Sequence, residues 1–269
     1  METKEKGKST KGFKLSAGLV VVCCFIIAGL VFYFVFGNPS NFLGNDVNNH
    51  PENLLGTIYK GGPIVVVLQA LFLSVLVLSV ERFFAIKKAN GKGSLVKFVQ
   101  SIKTTLQSGD IEEAKEACLK QKGSVGNVVT SALVKYEQMQ EDTELSKEQK
   151  LVTIQKEVEE ATALEMPSLE ENLNFIATMT TLGTLLGLLG TVIGMIRSFA
   201  ALANAGAPDS IALATGISEA LINTAFGIAT GATAVIAYSY FTSRIDKITY
   251  CIDEVGFTIV QSYSATHKK

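Results

Sequence analysis

Two apolar stretches in the C-terminal half carry the residues whose types and spacing could do chemistry. In 175-FIATMTTLGTLLGLLGTVIGMIRS-198, Thr180, Thr184, Gly187, Thr191, Gly194 and Ser198 recur at spacings of 4, 3, 4, 3 and 4, one narrow stripe of a helix. Leu185, Leu188, Leu189, Val192 and Ile196 lie opposite. In 211-IALATGISEALINTAFGIATGATAVIAYSYF-241, Glu219, Asn223, Gly227 and Thr230 share a side, with Ala220, Thr224 and Gly231 at its edge. Leu221, Ile222, Ala225, Ala232 and Ile236 turn away from it. Two readings fit. Hydroxyls, an amide and a carboxylate on the inner faces of apolar helices could line an ion path. The small-xxx-small patterns 183-GTLLG-187, 190-GTVIG-194 and 227-GIATG-231 suit close helix packing through Gly187, Gly190, Gly194, Gly227 and Gly231, with threonines bonding across or back to a carbonyl one turn earlier. Glu219 favours the path, because a carboxylate within a span costs ~2.5–3.5 kcal/mol on insertion scales. It is cheap only near an interface, and Asn223, one turn deeper, extends the polar line inward.

The elements that must position these residues are membrane helices. The 269-residue chain is 48% hydrophobic and 18% charged, with a mean hydropathy of +0.31 and a net charge of −1. Such a chain is too apolar for an ordinary soluble domain and carries no nucleic-acid signal. Its apolar residues fall in four blocks, near 15–36, 63–83, 175–202 and 211–242, each near or above the ~20 residues needed to cross a bilayer. The fold class expected is an all-α membrane protein with four transmembrane helices, whose long helices extend into a helical cytoplasmic domain. The first block follows a basic tail, 1–14, as a signal peptide would. Its length and the following 37-GNPSNF-42, which lacks a small-x-small cleavage site, favour an uncleaved helix.

Lys and Arg set the orientation. The tail holds five, the loop 37–62 only Lys60, the segment 81–174 thirteen, and the short loop 203–210 none. Both termini and the segment 84–174 are therefore expected in the cytoplasm, with 37–62 and 203–210 on the other side and 243–269 forming a C-terminal cytoplasmic helix. Arg197 dissents at the outer end of the third span, where it can snorkel or meet Asp209. Cys23 and Cys24 fall within the first span and Cys118 and Cys251 in cytoplasmic segments, so neither a disulfide framework nor metal-ligand spacing is read, and no cofactor is implied. The two histidines, His50 and His267, lie in a loop and the tail, and no nucleophile–base spacing argues for an enzyme.

In the middle segment, 109-GDIEEAKEACLKQK-122 places Ile111, Ala114, Cys118 and Leu119 on an apolar face, and 128-VVTSALVKYEQM-139 gives a second amphipathic piece. After 141-EDTELSKEQK-150 a helix restarts near Ser146. It either runs unbroken into the third span, since nothing from Ser168 to Asn174 stops it, or ends at Pro167. A continuous helix would line a vestibule with Glu157, Glu160 and Glu171, which could gather cations or form only a solvated face.

The segments 184-TLLGLLGTVIGMIRSF-199 and 215-TGISEALINTAFGIATGATAVIAYSYF-241, with 169-LEENLNFIAT-178, 78-LSVERF-83 and 109-GDIEEA-114, resemble the MotA/TolQ/ExbB proton-channel family, most of all its ExbB and TolQ branch. Thr191 and Thr224 sit where the family places its pore threonines, and Glu219 where it keeps an acid in the last helix. The first span is additional to the family's usual three. Gly183 and Thr184 stand where members often have Ala-Pro. The resemblance implies a proton-driven inner-membrane motor subunit that forms a homo-oligomeric ring, a pentamer. Its partner would be an ExbD- or TolR-like single-span protein whose membrane Asp carries the proton, since spans one to three of this chain hold no acid or histidine within the hydrocarbon. The work would pass to a TonB-like protein opening outer-membrane transporters. A TolQ-like or gliding/flagellar-type stator with another load is the alternative within the family. A non-conducting four-helix scaffold in the lipid bilayer is the alternative outside it.

Overall fold

A computed structural model describes residues 16–204 and 210–266. Nine α-helices occupy most of them: α1 Ala17–Val31, α2 Leu54–Lys60, α3 Pro63–Ala89, α4 Leu95–Ser108, α5 Ile111–Gln121, α6 Gly123–Glu141, α7 Lys147–Glu170, α8 Leu173–Asn204 and α9 Ser210–Thr266. A π-helical turn, Phe32–Phe36, extends α1. The described residues contain no strand, only an isolated bridge from Phe42 to Pro51. Four of the helices, α1 with its π turn, α3, α8 and α9, are long and apolar enough to cross a membrane. The basic tail, Asp209 and His267 lie outside the described residues.

The chain folds as two compact units. Of the described residues, one comprises 16–78, 178–204 and 210–234, with α1, α2 and parts of α3, α8 and α9. There α1 buries only Ala17, Val20, Cys24 and Ala28, one stripe at spacings of 3, 4 and 4, and exposes Leu19, Val22, Ile26 and Leu30. That division suits a helix with lipid on most sides. The segment after α1 is tied down by Asn41, whose side-chain amide donates to the carbonyls of Val35 and Phe36 at 2.8 and 3.0 Å. These are end-of-helix carbonyls left without an intrahelical donor. Tyr59 stacks on Phe32 at 4.7 Å.

The other unit comprises residues 79–177 and 235–269. Its core is Phe98, Val99, Ile102 and Leu106 of α4, Ala114 and Cys118 of α5, Val128, Val129, Ala132 and Leu133 of α6, and Ile154 of α7. Leu119 is corrected here: it is 69% exposed, because one residue beyond Cys118 is a 100° turn away from the buried stripe. Asp110 caps α5 by accepting from the Glu113 amide at 2.9 Å. The start of α7 falls where the sequence puts it, after Ser146, which forms a capping box with Gln149.

The run from Ser146 into the third span does not hold as one helix, nor does it end at Pro167. Pro167 lies inside α7, and the break comes at Glu171, whose ψ of 134° is not helical, and Asn172, at φ 63°. Asparagine is among the few residues that enter this left-handed region readily. Side chains fix the break from outside. Arg82, 2% exposed, pairs with Glu81 at 2.5 and 2.6 Å and donates to the Ser168 carbonyl at 3.3 Å, while Glu81 accepts from Asn172 at 3.3 Å.

The unbroken passage belongs to α9 instead. Ala220, Asn223, Gly227, Thr230, Ala234, Phe241, Ile245, Ile248, Ile252, Val255, Ile259 and Tyr263 are buried and recur at intervals of three, four or seven over one stripe, with buried Gly231, Cys251 and Gly256 beside it. Along the stripe itself residues are small up to Ala234 and mostly large from Phe241 on. The stretches 211–242 and 243–266 are accordingly one helix.

Candidate functional site

The small faces of α8 and α9 are turned toward each other. A Cβ added at Gly190 would stand 2.5 Å from the Asn223 Cβ, and one at Gly194 2.7 Å from the Ala220 Cβ. At Gly187 it would stand 2.9 Å from the Gly227 Cα, and at Gly183 2.9 Å from the Thr230 Cβ. Four glycines of α8 thus face Ala220, Asn223, Gly227 and Thr230 in antiparallel order. A Cβ at Gly231 would meet the Thr184 Oγ1 at 2.6 Å. Only glycine allows backbones this close, and the close approach is what lets threonines on one helix reach carbonyls on the other.

Thr191 and Thr224 meet at the centre of this crossing, hydroxyl to hydroxyl. The Thr191 hydroxyl also lies 3.2 Å from the Gly187 carbonyl and 3.3 Å from that of Ala220, and the Thr224 hydroxyl lies 3.4 Å from the Gly187 carbonyl. Each hydroxyl has one proton and more acceptors than it can serve, so the donor direction can change without moving a heavy atom. Neither group titrates near neutral pH. The pair can orient water or a neighbouring acid but cannot hold a charge of its own.

The other sequence-derived residues flank the pair. Thr230, fully buried, donates to the Phe226 carbonyl at 2.8 Å, and Thr184, exposed, donates to that of Thr180 at 3.1 Å. Thr180 is half-buried. Asn223 is 2% exposed; its amide nitrogen donates to the Gly61 carbonyl at 3.3 Å, and its Oδ1 has no partner among the described residues. Glu219, half-buried, lines a cavity of about 450 Å³ with Asn223, Lys60, Arg197 and His50. Two cations thus stand around one carboxylate. Arg197 is exposed and lies along Gly62, its Nη1 3.6 Å from the position of a Cβ there.

Sequence reasoning missed two polar residues of α3. Ser74, fully buried, donates to the Ala70 carbonyl at 2.7 Å, and Gln69, 8% exposed, has an Oε1 without a partner among the described residues. Gln69 is the one amide in an apolar block, which is the signal that could have found it. The acids assigned to a vestibule form pairs: Glu157 with Lys135 and Glu160 with Lys156, both at 3.4 Å, while Glu171 stands at the α7–α8 break.

The chain thus has four helices long and apolar enough to cross a membrane, and the polar groups of the last two gather at one glycine-lined crossing. The MotA/TolQ/ExbB proton channel family profile matches residues 127–254, which contain Thr191, Glu219 and Thr224. The chain is similar to a putative biopolymer transport protein ExbB homolog of Methanothermobacter thermautotrophicus, 27% identical over 72% of this chain and 66% of the relative. It is also similar to the Tol-Pal system protein TolQ of Haemophilus influenzae, 39% identical over 31% of this chain and 37% of the relative. A third relative is the biopolymer transport protein ExbB of Salmonella typhimurium, 30% identical over 32% of this chain and 35% of the relative. The chain therefore spans about two thirds of the first relative's length and little more than a third of the other two.

Proposed function

We propose that this chain is the ring-forming subunit of an inner-membrane proton-driven motor, ExbB-like, with both termini in the cytoplasm. The observation that carries the reading is the Thr191–Thr224 hydroxyl pair set into the α8–α9 crossing within the family-matched segment. The pair offers neutral, reorientable hydrogen bonds and no charge of its own, which suits a proton carried by another chain. That carrier is the membrane Asp of an ExbD- or TolR-like single-span partner held inside a pentameric ring of this chain. Thr180, Thr184, Thr191 and Thr224 shield and hydrate the Asp in turn, Asn223 and Thr230 back them from the buried side, and Glu219 tunes the charge at the cavity mouth. Each proton crossing ~100 mV releases ~2.3 kcal/mol, enough for a few protons to turn one helix past the faces of another. The work passes to a TonB-like protein.

A second load has specific support, since the TolQ protein of Haemophilus influenzae shares 39% identity with this chain over 84 residues. The two loads separate in one experiment. The chain is expressed with its single-span partner in cells lacking their own ExbB and TolQ, and uptake of a TonB-dependent substrate is measured beside outer-membrane integrity. Restored uptake that collapses with a protonophore supports the ExbB-like reading, restored integrity alone supports the TolQ-like one, and restoration of neither with an intact complex leaves the non-conducting scaffold.

A further inference from the structure

A second cavity, of about 280 Å³, lies in the unit built from 79–177 and 235–269, between α3, the start of α4 and α9. Lys87, Arg244 and Lys247 line it, and no carboxylate does. Among the described residues none of the three enters an ion pair. Arg244 is held over the Tyr240 ring at 5.2 Å, a contact that fixes its guanidinium without neutralising it. The first turn of α4 faces the same space. Its cap residue Ser94 makes no side-chain bond to the turn, and the turn contains no acid, so the positive end of that helix adds to the cations. Three uncompensated cations around one concave space call for an anion.

The rest of the wall says which kind. Phe83, Tyr240 and Phe241 also line the cavity. The apolar runs of α3 and α9 end here: Val80, Phe83 and Phe84 are 58, 45 and 63% exposed just before Lys87, and Val235, Ile236 and Tyr240 are 48, 71 and 44% exposed just before Arg244. Aromatic rings followed by basic side chains at the end of apolar helices mark a membrane–water interface. A soluble anion would leave this apolar approach uncovered, whereas an amphiphile covers it.

We propose that this cavity is a binding site for an anionic phospholipid, with Lys87, Arg244 and Lys247 holding the phosphodiester headgroup and Phe83 and Tyr240 flanking the first carbons of the acyl chains. Basic pockets between membrane helices recognise such headgroups because charge and apolar contact are satisfied together. The site is separate from the threonine crossing, and its occupancy does not depend on whether the chain drives a motor.

The test is native mass spectrometry of the full-length assembly in neutral detergent, titrated with dioleoylphosphatidylglycerol, with dioleoylphosphatidylcholine and inorganic phosphate as separate arms. Phosphatidylglycerol should bind saturably, at least fivefold tighter than phosphatidylcholine, and millimolar phosphate should not displace it. The variant K87Q/R244Q/K247Q should lose affinity roughly tenfold or more, on the scale of juxtamembrane basic residues, and K97Q/K103Q/K120Q, with the same change of net charge on exposed helix faces, should lose less than twofold. If the first variant fails to assemble, the single K87Q decides, with a two- to fivefold loss expected, and K87R should bind within twofold of the parent. Equal binding of the two lipids, full displacement by phosphate, or equal losses in the two triple variants would each overturn the proposal.

Discussion

Replacing both central threonines by valine keeps the shape of each side chain and removes two hydroxyls, and the structure sets what that should cost. Two contacts cross between helices, Thr191 to the Ala220 carbonyl at 3.3 Å and Thr224 to the Gly187 carbonyl at 3.4 Å, in addition to the hydroxyl–hydroxyl contact. No acceptor is orphaned, because both carbonyls keep their intrahelical partners one turn on. At ~0.6 kcal/mol for an average interhelical hydrogen bond in a membrane, the double variant should lose about 1–2 kcal/mol, a small part of the packing along a crossing that includes six glycines. Folding, oligomer level and partner co-purification should therefore stay near the parent. Proton-driven work should fall much further, tenfold or more, if the hydroxyls serve the carrier of the proton. The assay is protonophore-sensitive uptake of a TonB-dependent substrate, normalised to cross-linked complex, with each single variant beside the double. Full uptake at normal complex level would refute the ion-path assignment and leave Thr191 and Thr224 as packing residues.

Gly227→Ala places a methyl group 2.7 Å from both the Gly183 carbonyl and the Gly187 Cα, so α8 and α9 must separate, at about 1–3 kcal/mol, and oligomer yield in detergent should drop with it. Ile228→Ala, on the exposed side, should not show that drop. Arg82→Gln leaves Glu81 facing the α7–α8 break without its cation and should cost about 3 kcal/mol, read as faster proteolysis between residues 165 and 175. In Asn172→Gly the left-handed conformation is kept at little cost. Burial raises the Cys118 thiol from 9.0 to about 11, so the folded state binds its proton more tightly than the unfolded chain does. That contribution to stability is present below pH 9 and should be lost as pH rises through about 11, with alkylation of Cys118 following the same window. A cysteine that reacts at pH 8 in the folded protein would contradict the burial.

Much of the architecture could be read from the sequence because it depends on local periodicity. The four apolar blocks have the length a bilayer requires, the capping box at Ser146 is a four-residue signal, and the stripe of small residues on each of the last two spans is fixed once a helix is assumed. Thr191, Thr224 and Glu219 came from that pattern together with a family resemblance.

What a helical wheel cannot supply is the partner of a face. The stripes of α8 and α9 could have looked onto a lumen, a neighbouring chain or each other, and only the tertiary structure sets Gly187 on Gly227 and joins the two threonines. The same limit hid the end of α7. Proline advertises a break, yet the break falls at Asn172, because the left-handed turn is secured by Glu81 and Arg82, about ninety residues earlier in the sequence. It also hid the length of α9, whose buried stripe passes from small to large residues without losing register. Sequence alone determined which residues share a helix and a face, because backbone hydrogen bonding dictates that within a few turns. Tertiary structure decided what each face touches, because contacts between segments distant in the chain depend on how the whole molecule packs.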